Sequence, residues 1–346
     1  MNFETYSREF ITKALNAGYS SENITKCLNY ARPLLEKKLP VIYDLSHFSV
    51  LVGYSTRYIT HALIFTPFYY RRFQIKKHNG SLRTIAEPLP SLKEILQWIL
   101  NNVLYALDTS KFAKAYKRGM TLKQNLVFHK EQPFVLSLDI KDFFSSIRRP
   151  EVENIFHALG YSALVANFLA KICCLDNCLP QGASTSPCLS NIFLRNFDDT
   201  ISGYCIERKI RYTRYADDLS FSGVFNYKEL IKVVETELAT MGLYLNRDKT
   251  KLMKASQRQI VTGVVVNKKL QVVRSKRKKI RQTIYYIKKF GVEEHQKKTQ
   301  SQKQNFLQHL RGEIQFVLFI NPTDDEFQEY KKYINSLIHT TGDQRE

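Results

Sequence analysis

Two short strand-like runs, Arg211 to Tyr215 and Leu219 to Ser222, are separated only by Ala216-Asp217-Asp218. That spacing favours a tight antiparallel hairpin and puts two acids at its tip. Adjacent carboxylates raise each other's pKa and cost stability unless a cation neutralises them. Taken alone, an Asp-Asp pair is more readily a solvated turn, and a third acid bears on the choice. Phe134-Val135-Leu136-Ser137-Leu138 is a dense apolar run of strand length that ends at Asp139, so a carboxylate stands where a buried strand emerges. Pro150 then opens a helix with Val152, Ile155, Phe156 and Leu159 on its core face. Tyr227 to Met241 reads as an amphipathic helix, and Leu243 to Leu245 as a short strand. Strand, helix, hairpin, helix and strand predict an α+β fold with helices on one face of a sheet.

Oxygen ligands of this kind suit Mg²⁺, which prefers octahedral geometry and shares its shell with phosphates. Two such ions about 3.5–4 Å apart activate an attacking hydroxyl and stabilise a leaving pyrophosphate. The charge balance agrees with a phosphate-bearing partner. The 346 residues carry 52 Lys and Arg against 32 Asp and Glu, a net charge of +20, which favours nucleic acid. The basic residues also cluster, since Lys268 to Lys289 holds ten Lys or Arg and no acid, with Tyr285 and Tyr286 among them. Such a stripe neutralises phosphates while its aromatics stack. A plain solvated face is the alternative.

The six cysteines, Cys27, Cys173, Cys174, Cys178, Cys188 and Cys205, lack a paired metal-ligand spacing. No signal-peptide layout opens the chain, and no apolar run reaches the roughly 20 residues of a membrane span. These features predict a soluble cytoplasmic protein with reduced thiols. Residues 1 to 38 read as helical, with breaks at Gly18 and Pro33 and no legible function. Phe73 to Lys77 and Leu82 to Ile85 flank His78-Asn79-Gly80-Ser81 as a hairpin. Carrying Lys76, Lys77 and Arg83, it is either a phosphate clamp or an ordinary basic surface hairpin. Beyond Lys254 come a Val-rich strand pair (Ile260 to Val266, Leu270 to Val273), the basic stripe, a polar break from Glu293 to Gln304, and terminal helices.

Tyr215-Ala216-Asp217-Asp218 resembles the YxDD box of reverse transcriptases, and other boxes of that family stand in the same order. Asp139-Ile140-Lys141-Asp142-Phe143-Phe144 is similar to its first catalytic strand. Leu179-Pro180-Gln181-Gly182 with Ser186-Pro187 is similar to its nucleotide-positioning segment, and Gly242 through Asn246 to Lys249-Thr250 to its lysine box. The resemblance implies a right-hand polymerase with an N-terminal helical extension (1–38), fingers (39–130), a palm with an antiparallel sheet and helices (131–255), and a mainly helical thumb and RNA-recognition region (256–346). It implies two Mg²⁺ ions on Asp139, Asp217 and Asp218, and nucleotide contacts from Arg83, Phe144, Gln181 and Tyr215. Phe144 would lie under the sugar and exclude a 2′-hydroxyl, Arg83 would hold the triphosphate, and Lys249 would stand near the leaving pyrophosphate. Asp142, offset from the strand end, is expected to make structural hydrogen bonds.

Three details resemble the retron branch of the family. Val261-Thr262-Gly263 matches its VTG signature. Ala115-Tyr116 through Gly119, with Asn125 and His129, resembles its NAxxH segment, with Leu126 in place of Ala. Lys171-Ile172-Cys173-Cys174 leading to Leu179-Pro180-Gln181-Gly182-Ala183 is similar as well. The resemblance covers residue 39 onward. It implies dNTP substrates, a cognate structured noncoding RNA of the msr-msd type, and RNA-linked single-stranded DNA (msDNA) as product. It further implies an associated effector protein, a role in antiphage defence and no membrane. RNA contacts are expected from Asn125, His129, Val261, Thr262 and Gly263, and from Arg274, Lys276, Arg277, Lys278, Lys279 and Arg281. The rival readings are a group II intron or other mobile-element reverse transcriptase, and a catalytically silent RNA-binding scaffold.

Overall fold

The computed structural model describes residues 2–76, 80–299 and 305–342, with side chains to 339. At its centre is a four-stranded antiparallel sheet. After an outlying hairpin of β1 (Tyr70–Lys76) and β2 (Leu82–Pro88), the sheet comprises β3 (Phe134–Asp139), β4 (Arg211–Tyr215), β5 (Asp218–Gly223) and β6 (Lys251–Lys254), in the order β4-β5-β3-β6. Strand β3 is the apolar run, and its Val135, Leu136 and Leu138 are wholly buried, as suits a central strand. Its register with β5 sets Asp139 directly opposite Asp218.

The edge strand differs from expectation. Of Leu243 to Leu245 only Leu245 pairs, as an isolated bridge to Ile140, while Lys251–Lys254 pairs with Phe134 to Ser137. A 3-10 turn at Arg247–Lys249 lies between these pairings. It interrupts the edge strand and brings Lys249 back over the end of β3. The long Val-rich run is also divided. β7 (Ile260–Val261), β8 (Val264–Val265) and β9 (Gln271–Val272) form a separate sheet, and Thr262 and Gly263 have φ of 47° and 77°. Two successive positive φ values make the mirror-image turn that matches strand twist, so the signature VTG is a hairpin corner.

One continuous core runs from Ala31 and Leu34 to Leu245, through both sides of the expected 130/131 border, and Leu34 packs there from the N-terminal segment. A second core gathers Val261 to Ile334 and takes in Leu126 and Val135. Helices Phe3–Asn16 and Ser21–Glu36 account for the N-terminal segment. Pro33 lies inside the second of them, so it is no break. It forgoes one backbone hydrogen bond without ending the helix. The first half of the expected polar break is a helix, Val292–Lys298. Its residues 300–304, like the hairpin residues Lys77, His78 and Asn79, lie outside the described residues. No described helix is long and apolar enough to cross a membrane. All six cysteines are unpaired.

Candidate active site

Only Ala216 and Asp217 connect β4 to β5, and Ala216 has φ 60°, a left-handed conformation costing a non-glycine residue about 1–2 kcal/mol. The surroundings must therefore hold the turn. One restraint is the Ile140 N–H donated to the Asp217 carbonyl at 3.0 Å, which fastens the turn to the residue after Asp139. Asp139 is 6% exposed. Its backbone carbonyl accepts from Asn246 N–H at 2.7 Å, and its Oδ2 accepts from Lys249 Nζ at 2.8 Å.

The three acids repel one another. Burial raises the Asp217 pKa, and the charge of Asp139 adds to it. Asp218 is pushed up to about 6, by burial first and then by the charges of Asp217 and Asp139. Burial works against the charge of Lys249, but its bond to Asp139 and the attraction of all three acids outweigh that and raise its pKa. Carboxylate oxygens crowded at two strand ends are acceptors only, a donor set that fits a hard divalent cation. Among the described residues no three acidic, His or Cys side chains have already closed into a metal-ligating cluster. Lys249 holds one Asp139 oxygen.

These residues open onto a cleft of about 530 Å³, lined by Arg83, Tyr116, Asp139, Phe144, Gln181, Asp217 and Lys249 among others. Two neighbouring phenylalanines line it. Phe143 is 5% exposed and belongs to the core, and Phe144, partly buried, packs against that core with its ring 5.1 Å from that of Phe143. Gln181 reaches the cleft because its loop is sewn to the hairpin, Ala86 N–H donating to the Gln181 carbonyl at 2.9 Å. The next residue can only be glycine: Gly182 has φ 140°, and a Cβ there would stand 2.4 Å from the Ala86 carbonyl oxygen. Tyr215 is partly buried opposite Asp218, beside the cleft rather than in its lining. Asp142 has φ 47° and lines the cleft, and its carbonyl accepts from Ser145 Oγ and Ser146 Oγ.

Sequence reasoning gave Tyr116 no role, although it stands across the cleft. Its ring is 6.4 Å from Phe144 and its backbone is left-handed at φ 59°. Burial, then the nearby Asp217 charge, raises its hydroxyl pKa. A signal existed in its place within the Ala115-Tyr116 box, but the left-handed backbone could not be read from residue types.

The expected RNA-contacting residues separate into inner and outer sets. Asn125 and His129 are both 0% exposed, so they reach no nucleic acid directly, contrary to expectation. Asn125 Nδ2 donates to Thr262 Oγ1 at 3.0 Å, and its Oδ1 accepts from Thr213 Oγ1 at 2.5 Å. The Thr213 hydroxyl having spent its proton, His129 Nε2–H donates to it at 2.7 Å, and Nδ1 accepts from Ser222 Oγ at 2.7 Å. Burial, then the charges of Arg211 and Lys114, lowers the His129 pKa to about 3, so the ring is neutral. These bonds brace the Thr262-Gly263 corner against β4 and β5. Val261 is buried too.

On the helix Arg274–Phe290, Arg277 is 11% exposed and paired with Asp324. Arg281 donates through Nε and Nη2 to Glu326 at 2.5 and 2.6 Å. Lys276 lies over the Phe316 ring at 4.8 Å. Arg277 is thus bound into the protein and has little left for phosphate, a correction forced by packing, whereas Arg281, though paired with Glu326, remains 40% exposed. Arg274, Lys278 and Lys279 face outward with Tyr285 and Lys289.

An antiparallel sheet that presents acids at two adjacent strand ends, beneath a cleft lined by a basic hairpin, defines a template-copying polymerase of the right-hand class. Residues 75–307 match the family of reverse transcriptases, RNA-dependent DNA polymerases. The chain is 32% identical to the retron Ec86 reverse transcriptase of Escherichia coli, across 82% of this chain and 86% of that one. It is 30% identical to the retron Ec83 enzyme of the same organism (78% and 88%) and 28% identical to the retron Mx65 enzyme of Myxococcus xanthus (88% and 75%). The chain belongs to the reverse transcriptase family and, within it, to the retron reverse transcriptases.

Proposed function

We propose that this RNA-directed DNA polymerase copies part of a cognate structured noncoding RNA of the msr-msd type into RNA-linked single-stranded DNA, starting from a 2′-hydroxyl of that RNA. The observation carrying this reading is the convergence of Arg83, Phe144, Gln181, Asp139, Asp217 and Lys249 on one cleft. There Arg83 holds the dNTP triphosphate. Gln181 orients the nucleotide from a loop locked to β2, and Phe144 excludes a ribose 2′-hydroxyl. Tyr215 supports the nucleotide site from beside the cleft. Asp139, Asp217 and Asp218 would hold two Mg²⁺ ions, which would supply the Lewis acidity that activates an attacking hydroxyl and neutralises a leaving pyrophosphate. Lys249, which donates to Asp139 Oδ2, would lend its charge to that pyrophosphate.

In this reading the outward Arg274, Lys278 and Lys279 take RNA phosphates, with Lys276 at their margin, and Val261-Thr262-Gly263 presents the corner of a hairpin to the RNA. The DNA product serves antiphage defence together with an effector protein, in the cytoplasm. The test is to express the chain with its neighbouring noncoding DNA and extract nucleic acid. Branched, RNase-sensitive single-stranded DNA should appear with the wild type and vanish with Asp217→Asn plus Asp218→Asn. Extension of an ordinary primed RNA template without any branched product would refute the RNA-linked reading and leave the polymerase.

A further inference from the structure

Arg214 lies on β4 two residues before the strained Ala216, and its side chain and that of Asp198 are both 0% exposed. The guanidinium meets Asp198 in a two-toothed bond, Nε to Oδ1 at 2.8 Å and Nη2 to Oδ2 at 2.6 Å. Its remaining donors have separate targets. Nη1 reaches the Asn191 Oδ1 at 2.9 Å and the Ala216 carbonyl at 3.2 Å. Tyr212 Oη also donates to Asp198, at 2.7 Å. Asn191 in turn donates from Nδ2 to the Ala115 carbonyl at 2.9 Å, next to Tyr116. The Arg214 backbone holds that same segment, its N–H donating to Phe112 at 2.9 Å and its carbonyl accepting from Lys114 at 2.7 Å.

A buried ion pair is a poor means of stabilising a fold, because apolar residues of similar volume do as well or better. This one ends on the carbonyl of the residue whose left-handed backbone aims Asp217 and Asp218, and on the carbonyl beside Tyr116 across the cleft. We infer that Arg214, Asp198 and Asn191 are positioning residues that hold the two walls of the cleft in register, the carboxylate turn on one side and Tyr116 on the other. Arginine suits the place because its planar fork serves four acceptors at once, which an ammonium on a flexible stem does not. None of the three is part of the cleft lining, so the effect is transmitted through their neighbours, chiefly the Ala216 and Ala115 carbonyls.

The experiment replaces the pair by apolar residues, Arg214→Met with Asp198→Leu, and separately makes Asn191→Leu. It measures dNTP incorporation on a primed RNA template, RNA affinity, Tm, and the rise in Tm on adding Mg²⁺. In the paired variant kcat is expected to fall about 10²-fold, the cost of displacing reacting groups by about 1 Å. The Mg²⁺-induced rise in Tm should shrink and RNA affinity stay near wild type, while Tm without metal falls because Tyr212 Oη, Asn191 Oδ1 and the Ala216 carbonyl lose their partners. For Asn191→Leu the fall should be about tenfold. Adding Ala216→Gly, which removes the left-handed penalty, should restore part of the lost kcat, a rescue that a merely structural role does not predict. Wild-type kcat and an undiminished Mg²⁺ response in the paired variant would overturn the inference. If that variant does not fold, Asn191→Leu decides: unchanged kcat overturns the inference, and a loss reversed by Ala216→Gly upholds it.

Discussion

The acid-lined cleft and the basic helix Arg274–Phe290 were both conspicuous as strings of residue types, yet the structure treats them differently. At the cleft, Arg83, Asp139, Phe144, Gln181, Asp217 and Lys249 converge from five separate segments. On the helix, two of the expected phosphate contacts are paired within the protein, Arg277 inward to Asp324 and the more exposed Arg281 to Glu326. A residue at a strand end or in a tight turn is aimed by its own backbone. A residue on a long helix is aimed by what packs beside it, and that partner lies some 45 positions away in the sequence.

The contrast breaks first, and most visibly, at the carboxylates. Asp217→Asn should lower DNA synthesis by about 10³-fold or more, while Tm without metal holds or rises because a like charge has gone. A fall in Tm would mean that the acids are there for the fold. Next, Gly182→Ala sets a Cβ against the Ala86 carbonyl. It should push β2 from the Gln181 loop, raise KM for dNTP and cost about 10²-fold in kcat/KM; unchanged kinetics would show that the loop is not held as described.

On the thumb side, Arg277→Gln should cost about 2–3 kcal/mol, because it strands the Asp324 carboxylate at low exposure, and be read as a lower Tm with an unaltered salt slope of RNA binding. The pH-linked contribution of His129 is smaller still near neutrality and grows only in acid. Its folded-state pKa is depressed to about 3, so the unfolded chain takes up a proton near pH 6.5 while the folded ring does not. Stability from this group is therefore full above pH 6.5 and falls by about 1.4 kcal/mol per pH unit below it, until the folded ring protonates. His129→Gln should flatten that acid limb in denaturation curves taken from pH 7 to pH 4. The smallest effect is that of Lys278→Gln, which should leave Tm unchanged and reduce the salt slope by about 0.7–0.9, one phosphate's share. If Arg277 and Lys278 behaved alike, the division of the helix into inner and outer residues would fail.

Legibility followed the same division. The strand β4, the helix from Tyr227 and the acidic hairpin tip lay in plain alternation and spacing, and the structure has them within a residue or so. The edge strand was misplaced because Leu243-Tyr244-Leu245 looks more strand-like than Lys251 to Lys254, and only pairing along β3 distinguishes them. The run Ile260 to Val266 concealed a corner, since Thr262 is an unusual residue at φ 47° and Gly263 alone marked the turn. Asn125 and His129 had the spacing of a motif but nothing to say whether they faced RNA or the core.

By itself the sequence determined the chemistry: three acids at strand ends, a basic partner surface, and the order of the boxes that carry a polymerase. These depend on residue type and short spacing, which set local backbone and charge. Only the tertiary structure decided which cations of the basic helix face outward, that Asn125 and His129 form a buried brace, and that Arg214 reaches the Ala216 carbonyl beside Asp217 and Asp218. Those outcomes depend on side chains meeting across long sequence separations, where burial excludes water and leaves each polar group a single set of partners.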